Sequence, residues 1–322
     1  MIETVLGTLE WFTQWSDPLA WLVVATFVVG AVLDWYDLYS DAARTVTVAA
    51  WVLFAVFWFT QIYSFAFVEK SIVEGIGSLI AVPASLYVAL LLRRGRDSLL
   101  VLSRAVAVMG AVFLPFEAIL VLQEVLIEMV TRQTEFLMSL LGYQPEVVLG
   151  STIDSSHEPF RNTFVFHPEP GYRITYTIII ACTGIGSMAI FVGLIAAVRA
   201  PLRRKLRALA VSIPVIYALN LVRNVFIGLS FGTMKMQLFP EATATVFAFD
   251  LATEPGLVSY YWADRILAQT GSVLALVAIT WLVVRELPEV LIVIEDLLYM
   301  ATGSEYDLRG ALGVAPVRAD GE

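Results

Sequence analysis

Seven long apolar segments dominate the sequence, and a chain with this pattern must keep them out of water. Each is close to the roughly 20 mostly apolar residues that a helix needs to cross the bilayer core. The whole chain is 59% hydrophobic and 15% charged, whereas soluble domains are about 25% charged. We therefore predict an all-α, polytopic transmembrane helical bundle of about seven spans. The predicted spans are Pro18–Leu33, Thr45–Val68, Ser71–Leu92, Leu99–Leu122, Ile174–Val198, Ala208–Ser230 and Pro255–Val284.

Shorter amphipathic segments lie outside the predicted spans. Met1–Ser16 carries apolar residues at helical spacing and is expected to lie on the membrane surface. The polar loop that follows the fourth span begins with VLIEMVTRQTEFLMSLL, a pattern that favours an amphipathic helix. Pro288–Met300 would be an eighth span if it entered the bilayer. It is short and carries Glu289, Glu295 and Asp296, which favours a surface helix instead.

The basic residues of the short loops predict the orientation. Arg93, Arg94 and Arg96 follow the third span, and the cluster Arg199–Arg207 follows the fifth. Such residues mark the cytoplasmic side, and the two clusters are separated by two spans, so they agree. The loops at 123–172 and 231–253 are then outside and the C-terminal tail is inside. The predicted protein is a multi-pass protein of the cell membrane.

One membrane domain and a tail are the predicted organisation. The transmembrane helical domain covers residues 1–284, with a catalytic core at about 170–284, and an acidic cytoplasmic tail covers residues 285–322. The chain has one cysteine, which excludes an internal disulfide framework and a cysteine-based zinc site. No metal or cofactor is expected. The net charge is −9 and no basic patch carries interleaved aromatics, which excludes a nucleic-acid binder.

A thiol and two arginines occupy the last three predicted spans. Cys182 is eight residues, or roughly 12 Å, from the outer end of its span. Arg223 is seven residues in, roughly 10 Å, and Arg265 is ten residues in, roughly 15 Å. Charged residues within membrane spans are costly and usually functional. The spacing therefore predicts one active site that contains these three side chains, just below the outer membrane face.

Polar and small residues accompany these three side chains. A polar stripe at i, i+3, i+6 and i+7 of the sixth span must face protein or water rather than lipid. Its members are Tyr217, Asn220, Arg223 and Asn224. Small residues beside the cysteine would let a neighbouring or substrate helix approach closely. We count Gly184, Gly186 and Ser187 among them as support for the site.

The residue types indicate acyl transfer. A thiolate is the nucleophilic form of cysteine, and nearby positive charge favours it. Arginine stays protonated and can stabilise both a thiolate and a developing oxyanion, so we expect the two arginines to lower the pKa of Cys182. For the same reason arginine is a poor general base. The residues do not assign the proton carrier, because His157 and His167, the two histidines, both fall in the outer loop.

The motifs resemble a known family. Ala181-Cys182-Thr183-Gly184-Ile185-Gly186-Ser187, then Asn220-Leu221-Val222-Arg223-Asn224, then Arg265, are similar to the exosortase/archaeosortase family, most of all to the archaeosortases of haloarchaea. The resemblance covers residues from about 170 to 285 strongly. It implies a cysteine transpeptidase or peptidase with Cys182, Arg223 and Arg265 as its catalytic triad. Many members are expected to have histidine at the third position, where this chain has arginine.

The resemblance also implies the partners. The substrates would be secreted proteins with a C-terminal signal made of a Pro-Gly-Phe motif, a transmembrane helix and a basic cluster. S-layer glycoprotein is the expected main client. The enzyme would cleave the signal and promote attachment of the new C-terminus to a membrane lipid, such as an ethanolamine-headed ether lipid.

Other interpretations stay open on the residues alone. The protein could be a transporter or channel with an arginine-lined anion site, or a scaffold in which the polar stripe only packs helices. Cys182 could be a small packing residue. Arg265 could snorkel to the surface or pair with its neighbour Asp264, and Arg104 is expected to snorkel at the cytoplasmic end of the fourth span.

Overall fold

A computed structural model describes residues 11–36, 40–68, 70–155 and 158–311. Helices dominate these residues, which confirms the predicted all-α, polytopic class, and a small sheet is added to them. Most of the predicted surface helix Met1–Ser16, together with His157, falls outside the described residues.

The helices and strands are numbered here in chain order. The first part of the chain forms α1 Ser16–Trp35, α2 Ser40–Tyr63, α3 Ile72–Arg93, α4 Leu99–Ala118 and α5 Leu120–Leu140. The sheet follows, with β1 Glu146–Leu149, β2 Arg161–Glu169 and β3 Tyr172–Thr177. The remaining helices are α6 Ile185–Ala197, α7 Leu202–Gly232, α8 Pro240–Phe247, α9 Gly256–Tyr260, α10 Gln269–Glu286, α11 Leu291–Thr302 and α12 Leu308–Ala311.

Six of the described helical segments are long and apolar enough to cross a membrane. They expose large apolar side chains along their length; Leu79 and Ile80 on α3, and Leu274 and Val277 on α10, are each more than half exposed. Contiguous apolar surface of this kind is unfavourable in water and suits a lipid environment. The six segments are Ser16–Trp35, Ser40–Val68, Ile72–Arg93, Leu99–Ala118, Leu202–Gly232 and Gly256–Glu286.

The predicted fifth span, Ile174–Val198, is wrong as a continuous helix. Its first part belongs to β3, and Ile180–Thr183 forms a 3₁₀ turn. Gly184 then adopts a left-handed conformation, with φ of 78°, before α6 begins. The run ITYTIII is rich in β-branched and aromatic residues that fit a strand, and a left-handed residue cannot continue a helix. The 13-residue α6 is only about 20 Å long.

The chain divides into two compact units, which are described separately. The first unit contains residues 1–112, 189–212 and 280–322. Its core is formed by α1, α2, α3 and α4, where Phe27 packs edge to face on Trp51 and the Trp51 indole donates to Ser103 Oγ at 2.8 Å. Gly193 of α6 lies so close to the Ala105 carbonyl of α4 that a side chain would not fit there. The predicted division into a domain and a tail stays a prediction.

Ion pairs hold two arginines of the first unit. Arg104 is 8% exposed and pairs with Asp34, so the expectation that it snorkels is wrong. Burial of its guanidinium is compensated by this carboxylate and by the Ala197 carbonyl at 3.2 Å. Arg96 pairs with Asp296 of α11 at 2.8 Å and therefore ties α11 to the segment between α3 and α4.

The second unit contains residues 113–188 and 213–279, including the whole sheet. The strand order is β1-β2-β3 with both pairs antiparallel, and Phe164 lies opposite Tyr176. The turn between β2 and β3 is Pro170-Gly171, where Gly171 has a φ of 83° that suits the third position of a type II turn. The predicted amphipathic helix is confirmed as α5, and its Glu128 accepts from the backbone N–H of Arg161 at 3.1 Å.

A buried cluster links the sheet to the helices of the second unit. Phe164, Tyr176 and Ile178 pack with Val130 and Met138 of α5, and all five are less than 8% exposed. Cys182 packs against the same cluster. The segment that carries the cysteine is therefore fixed on the sheet side by β3 and on the helix side by α7.

Candidate active site

Cys182 lies in the 3₁₀ turn Ile180–Thr183, between β3 and α6. Its side chain is partly buried and the thiol is free. The chain just ahead of it is anchored to β2, because Ile178 N–H donates to the Asn162 carbonyl and Asn162 Nδ2 donates to the Ile178 carbonyl, both at 2.8 Å. The cysteine therefore sits on a turn before α6, whereas the sequence predicted it inside a spanning helix.

Two asparagines of α7 hold the backbone of the cysteine. Asn220 Nδ2 and Asn224 Nδ2 both donate to the Cys182 carbonyl oxygen, at 2.7 and 2.8 Å. They are four residues apart, so they stand one above the other on the same face of the helix. Gly184 makes this close approach feasible, because a Cβ there would lie 3.0 Å from Asn220 Cγ. The predicted polar stripe thus faces protein and fixes the turn.

The two arginines meet at a carboxylate. Arg223 Nη2 donates to Asp264 Oδ1 at 2.6 Å, and Arg265 Nε lies 3.6 Å from Asp264 Oδ2. Their side chains are 24% and 13% exposed, and that of Asp264 is 9% exposed. Asp264 and Arg265 belong to a π-helical stretch, Tyr261–Ala268. Such stretches are rare in proteins, and those that occur are often found at functional sites.

Burial raises the pKa of the Cys182 thiol above its ordinary value. The positive charge of Arg223 opposes this effect in part, and the negative charge of Asp264 adds to it. The expectation that the arginines lower the pKa of the thiol is therefore wrong in its net sign. The physical reason is that burial outweighs the effect of an arginine whose charge is largely compensated by a carboxylate.

Two tyrosines and an aspartate join the site without having been predicted. Tyr176 of β3 is buried within electrostatic reach of Cys182 and Arg223. Tyr260 lies beside Asp264, and its ring centroid is 5.8 Å from the Arg265 guanidinium carbon. Asp264 carried a signal in the sequence, since an acid within an apolar segment is costly and needs a partner. Tyr176 carried none, because one tyrosine in an apolar run is ordinary.

The remaining predicted support residues lie elsewhere in the second unit. Tyr217 donates to Gln133 Oε1 of α5 at 2.8 Å, so it joins α7 to α5 and does not reach the cysteine through this bond. A Cβ at Gly186 would lie 3.9 Å from Phe113, an ordinary contact, so no close helix approach depends on it. Ser187 is partly buried in the first turn of α6. His167 is exposed in β2.

The described residues do not form a cluster of metal ligands. No group of three or more histidine, cysteine, aspartate or glutamate side chains there could hold a metal ion. The chemistry that the arrangement supports is nucleophilic attack by sulfur beside a guanidinium, within a partly buried setting.

Known proteins are similar to this chain. The family described as transmembrane exosortase matches residues 11–252, a range that includes Cys182 and both asparagines. The archaeosortase A of Haloferax volcanii is 48% identical over 309 residues, which is 93% of this chain and 98% of that protein. The archaeosortase A of Natronomonas pharaonis is 45% identical over 290 residues, 88% of each chain. No solved structure matches.

These matches extend over most of the chain, and a transmembrane family agrees with the six apolar helices. The chain therefore belongs to the transmembrane exosortase family.

Proposed function

We propose that this protein is a cysteine-dependent membrane transpeptidase or peptidase of the archaeosortase type. It cleaves a C-terminal sorting signal on secreted proteins and transfers the new C-terminus to an acceptor. Two curated archaeosortase A proteins, 48% and 45% identical to this chain, support the archaeosortase type.

One observation carries the proposal. The helix α7 that supplies Arg223 also supplies Asn220 and Asn224, whose amides hold the Cys182 carbonyl at 2.7 and 2.8 Å. One rigid helix thus sets both the backbone of the thiol-bearing residue and the guanidinium whose charge acts on that thiol. Sites built on rigid elements hold reacting groups within the narrow tolerances that catalysis needs.

The chemistry is acyl transfer through a thioester. The sulfur of Cys182 bonds to the scissile carbonyl carbon, the peptide C–N bond breaks, and the proton of the thiol ends on the leaving amine. Arg223 stabilises the thiolate that attacks. Arg265 and Arg223 share Asp264, which keeps both guanidiniums in place for the negative charge that develops on the substrate oxygen.

The substrates and the acceptor follow from the family resemblance. Clients are secreted proteins with a Pro-Gly-Phe motif, a transmembrane helix and a basic cluster, with S-layer glycoprotein as the expected main client. The acceptor is an amine on a membrane lipid, which attacks the thioester and forms an amide. The positive-inside rule supports a site on the outer face of the cell membrane, because the basic loops 93–96 and 199–207 then lie inside.

The test is intact-mass analysis of a secreted client co-expressed with each variant. The parent protein should yield a client that is shortened and carries a lipid mass. Cys182→Ser should lose roughly 10⁴-fold or more in rate, because it removes the nucleophile. Arg223→Gln should also be impaired, whereas Arg207→Gln, an exposed arginine on the same helix, is the matched control. Parental processing by Cys182→Ala would overturn the proposal.

The anion-transport alternative has less support. An anion site here could use only the one positive charge that remains after Asp264 compensates one of the two arginines. Chloride flux into liposomes that depends on Arg223 and tolerates Cys182→Ala would favour that alternative. Client processing that survives replacement of Cys182, Arg223 and Arg265 together would favour a scaffold.

A further inference from the structure

The hydroxyl of Tyr176 is buried without a hydrogen-bond partner among the described residues. The residue is 6% exposed, and the hydroxyl oxygen itself is closed to solvent. A buried polar group left without a partner destabilises the fold, and most buried polar groups are paired. A phenylalanine would fill the same space without that cost. Stability of the fold therefore does not explain why this position has a hydroxyl group.

Packing alone holds the ring of Tyr176. The ring stacks on Phe164 of β2, with centroids 6.4 Å apart and planes 20° apart. Gly228 of α7 leaves room for the ring, since a Cβ there would lie 3.0 Å from Tyr176 Cδ1. Gly228 is one helical turn after Asn224, the residue that holds the Cys182 carbonyl. The ring is therefore fixed against the same helix that fixes the cysteine.

The hydroxyl lies beside the nucleophile, and its interaction with the Cys182 thiol lowers the pKa of that thiol, although no hydrogen bond of normal geometry joins the two. Tyr176 precedes Cys182 by six residues, and both belong to the packed cluster of the second unit. Burial raises the pKa of Tyr176 well above its ordinary value, and negative charge on Cys182 raises it further. The hydroxyl thus keeps its proton at neutral pH, as a hydrogen-bond donor must.

We propose that the Tyr176 hydroxyl is a catalytic hydrogen-bond donor to the oxyanion that forms when Cys182 attacks the scissile carbonyl. The missing partner of the hydroxyl is then the substrate oxygen, which enters where Cys182 is partly exposed. A donor that is closed to water and fixed before the reaction needs no reorganisation when the charge develops. This inference rests on the proposed function.

The atoms and electrons of this step balance without a further reagent. As the S–C bond forms, the π electrons of the carbonyl move to its oxygen, and Tyr176 donates a hydrogen bond there without losing its proton. When the tetrahedral intermediate collapses, the C=O bond re-forms and the C–N bond breaks. The thiol proton ends on the leaving amine. Tyr176 is unchanged at the end of the step.

The experiment compares Tyr176→Phe with Tyr172→Phe in the full-length protein, in detergent or native membranes. Tyr172 is on the same strand, four residues before Tyr176, and its side chain is therefore on the same face of the sheet, which makes it a matched control. The probe is a client peptide with a Pro-Gly-Phe motif and a transmembrane helix. Rates are divided by the concentration of folded protein, which is taken from the amplitude of the thermal unfolding transition.

The expected result is a loss of kcat by about 10²- to 10³-fold in Tyr176→Phe, with KM changed less than about 2-fold. The thermal midpoint should stay at or above that of the parent, because an unpaired buried hydroxyl is removed. Tyr172→Phe should retain the parental kcat. Parental kcat in Tyr176→Phe would overturn the assignment, and so would loss of the folded protein, because the hydroxyl would then be structural.

Two further readouts separate the possible failures. If Tyr176→Phe shifts the pH profile of Cys182 alkylation enough to account for its lost rate, the hydroxyl acts on the thiolate and the oxyanion assignment is wrong. If Cys182→Ala processes the probe at the parental rate, the proposed function itself fails. If Cys182→Ala is inactive and Tyr176→Phe is fully active, only the present inference fails.

Discussion

Arg223 Nη2 lies 2.6 Å from Asp264 Oδ1, so the arginine expected to face the thiol also anchors to a carboxylate. Arg265, the next residue after Asp264, lies 3.6 Å from the other carboxylate oxygen. Two cations around one anion leave a net positive charge, and the anion fixes the direction of both guanidiniums. A thiol near these three side chains therefore experiences a positive charge that Asp264 partly compensates and holds in a fixed position.

Replacement of Asp264 should separate the two arginines. Asp264→Asn keeps the shape of the side chain and removes its charge, so Arg223 and Arg265 repel each other while partly buried. We expect processing to fall by at least about 10-fold and the thermal midpoint to fall, since breaking a buried ion pair costs about 3–5 kcal/mol when one partner remains. Activity on a client peptide and thermal unfolding in detergent measure the two effects.

The control for this change is Asp250→Asn. Asp250 Oδ1 accepts from the Ala252 N–H in an exposed loop, and an asparagine can accept the same bond. It should leave both quantities unchanged. Equal activity of Asp264→Asn and the parent protein would contradict the role of the carboxylate in holding the arginines.

The left-handed glycine before α6 should tolerate no side chain. Gly184→Ala adds a Cβ at a φ of 78°, and the added atom meets Asn220 at 3.0 to 3.1 Å. The φ alone should cost about 1–2 kcal/mol, and the clash should displace the amide that holds Cys182. Gly142→Ala is a matched control, because it has a φ of 84° and open space around it. Both variants should lose stability, and only Gly184→Ala should lose processing activity.

The two asparagines that bind the Cys182 carbonyl should act together. Asn220→Ala or Asn224→Ala leaves one donor, and each should lower processing by about 10-fold or less. The double variant leaves the carbonyl without either amide and should lose more than the product of the single effects. Strictly multiplicative losses across the four proteins, measured as kcat/KM, would show that the two bonds are independent.

Alkylation of Cys182 should require alkaline pH. Because the pKa of the thiol is raised, the reactive thiolate should appear only above the ordinary value of about 8.5. Arg223 lowers the pKa of the thiol, so Arg223→Gln should move the alkylation profile to still higher pH. The chain has one cysteine, so maleimide incorporation reports this site alone. An inflection below 8.5 in the parent protein would disprove the raised pKa.

Sequence patterns predicted the helical layout but not the sheet. The strand signals were present: RNTFVF is rich in β-branched and aromatic residues, and YRITYT alternates. They lie on either side of Pro170-Gly171, a sequence that suits a tight turn. They were hidden because YRITYT runs directly into the apolar IIIACTGIG, so the combined stretch has the length of a membrane span. Length and hydropathy alone do not separate a strand that enters a short helix from one continuous helix.

What the sequence determined by itself is the set of segments that avoid water and the residue types that carry the chemistry. Apolar length predicts spans, and a lone thiol with two arginines in apolar surroundings predicts a site. Only the tertiary structure decided that Asn220 and Asn224 hold the Cys182 carbonyl, that Asp264 joins the arginines, and that the Tyr176 hydroxyl lies unpaired within the cluster. The reason is that the contacts of Asn220 and Asn224 with Cys182, and of Asp264 with Arg223, join residues 38 to 42 positions apart. Their geometry depends on how separate elements pack rather than on any local pattern.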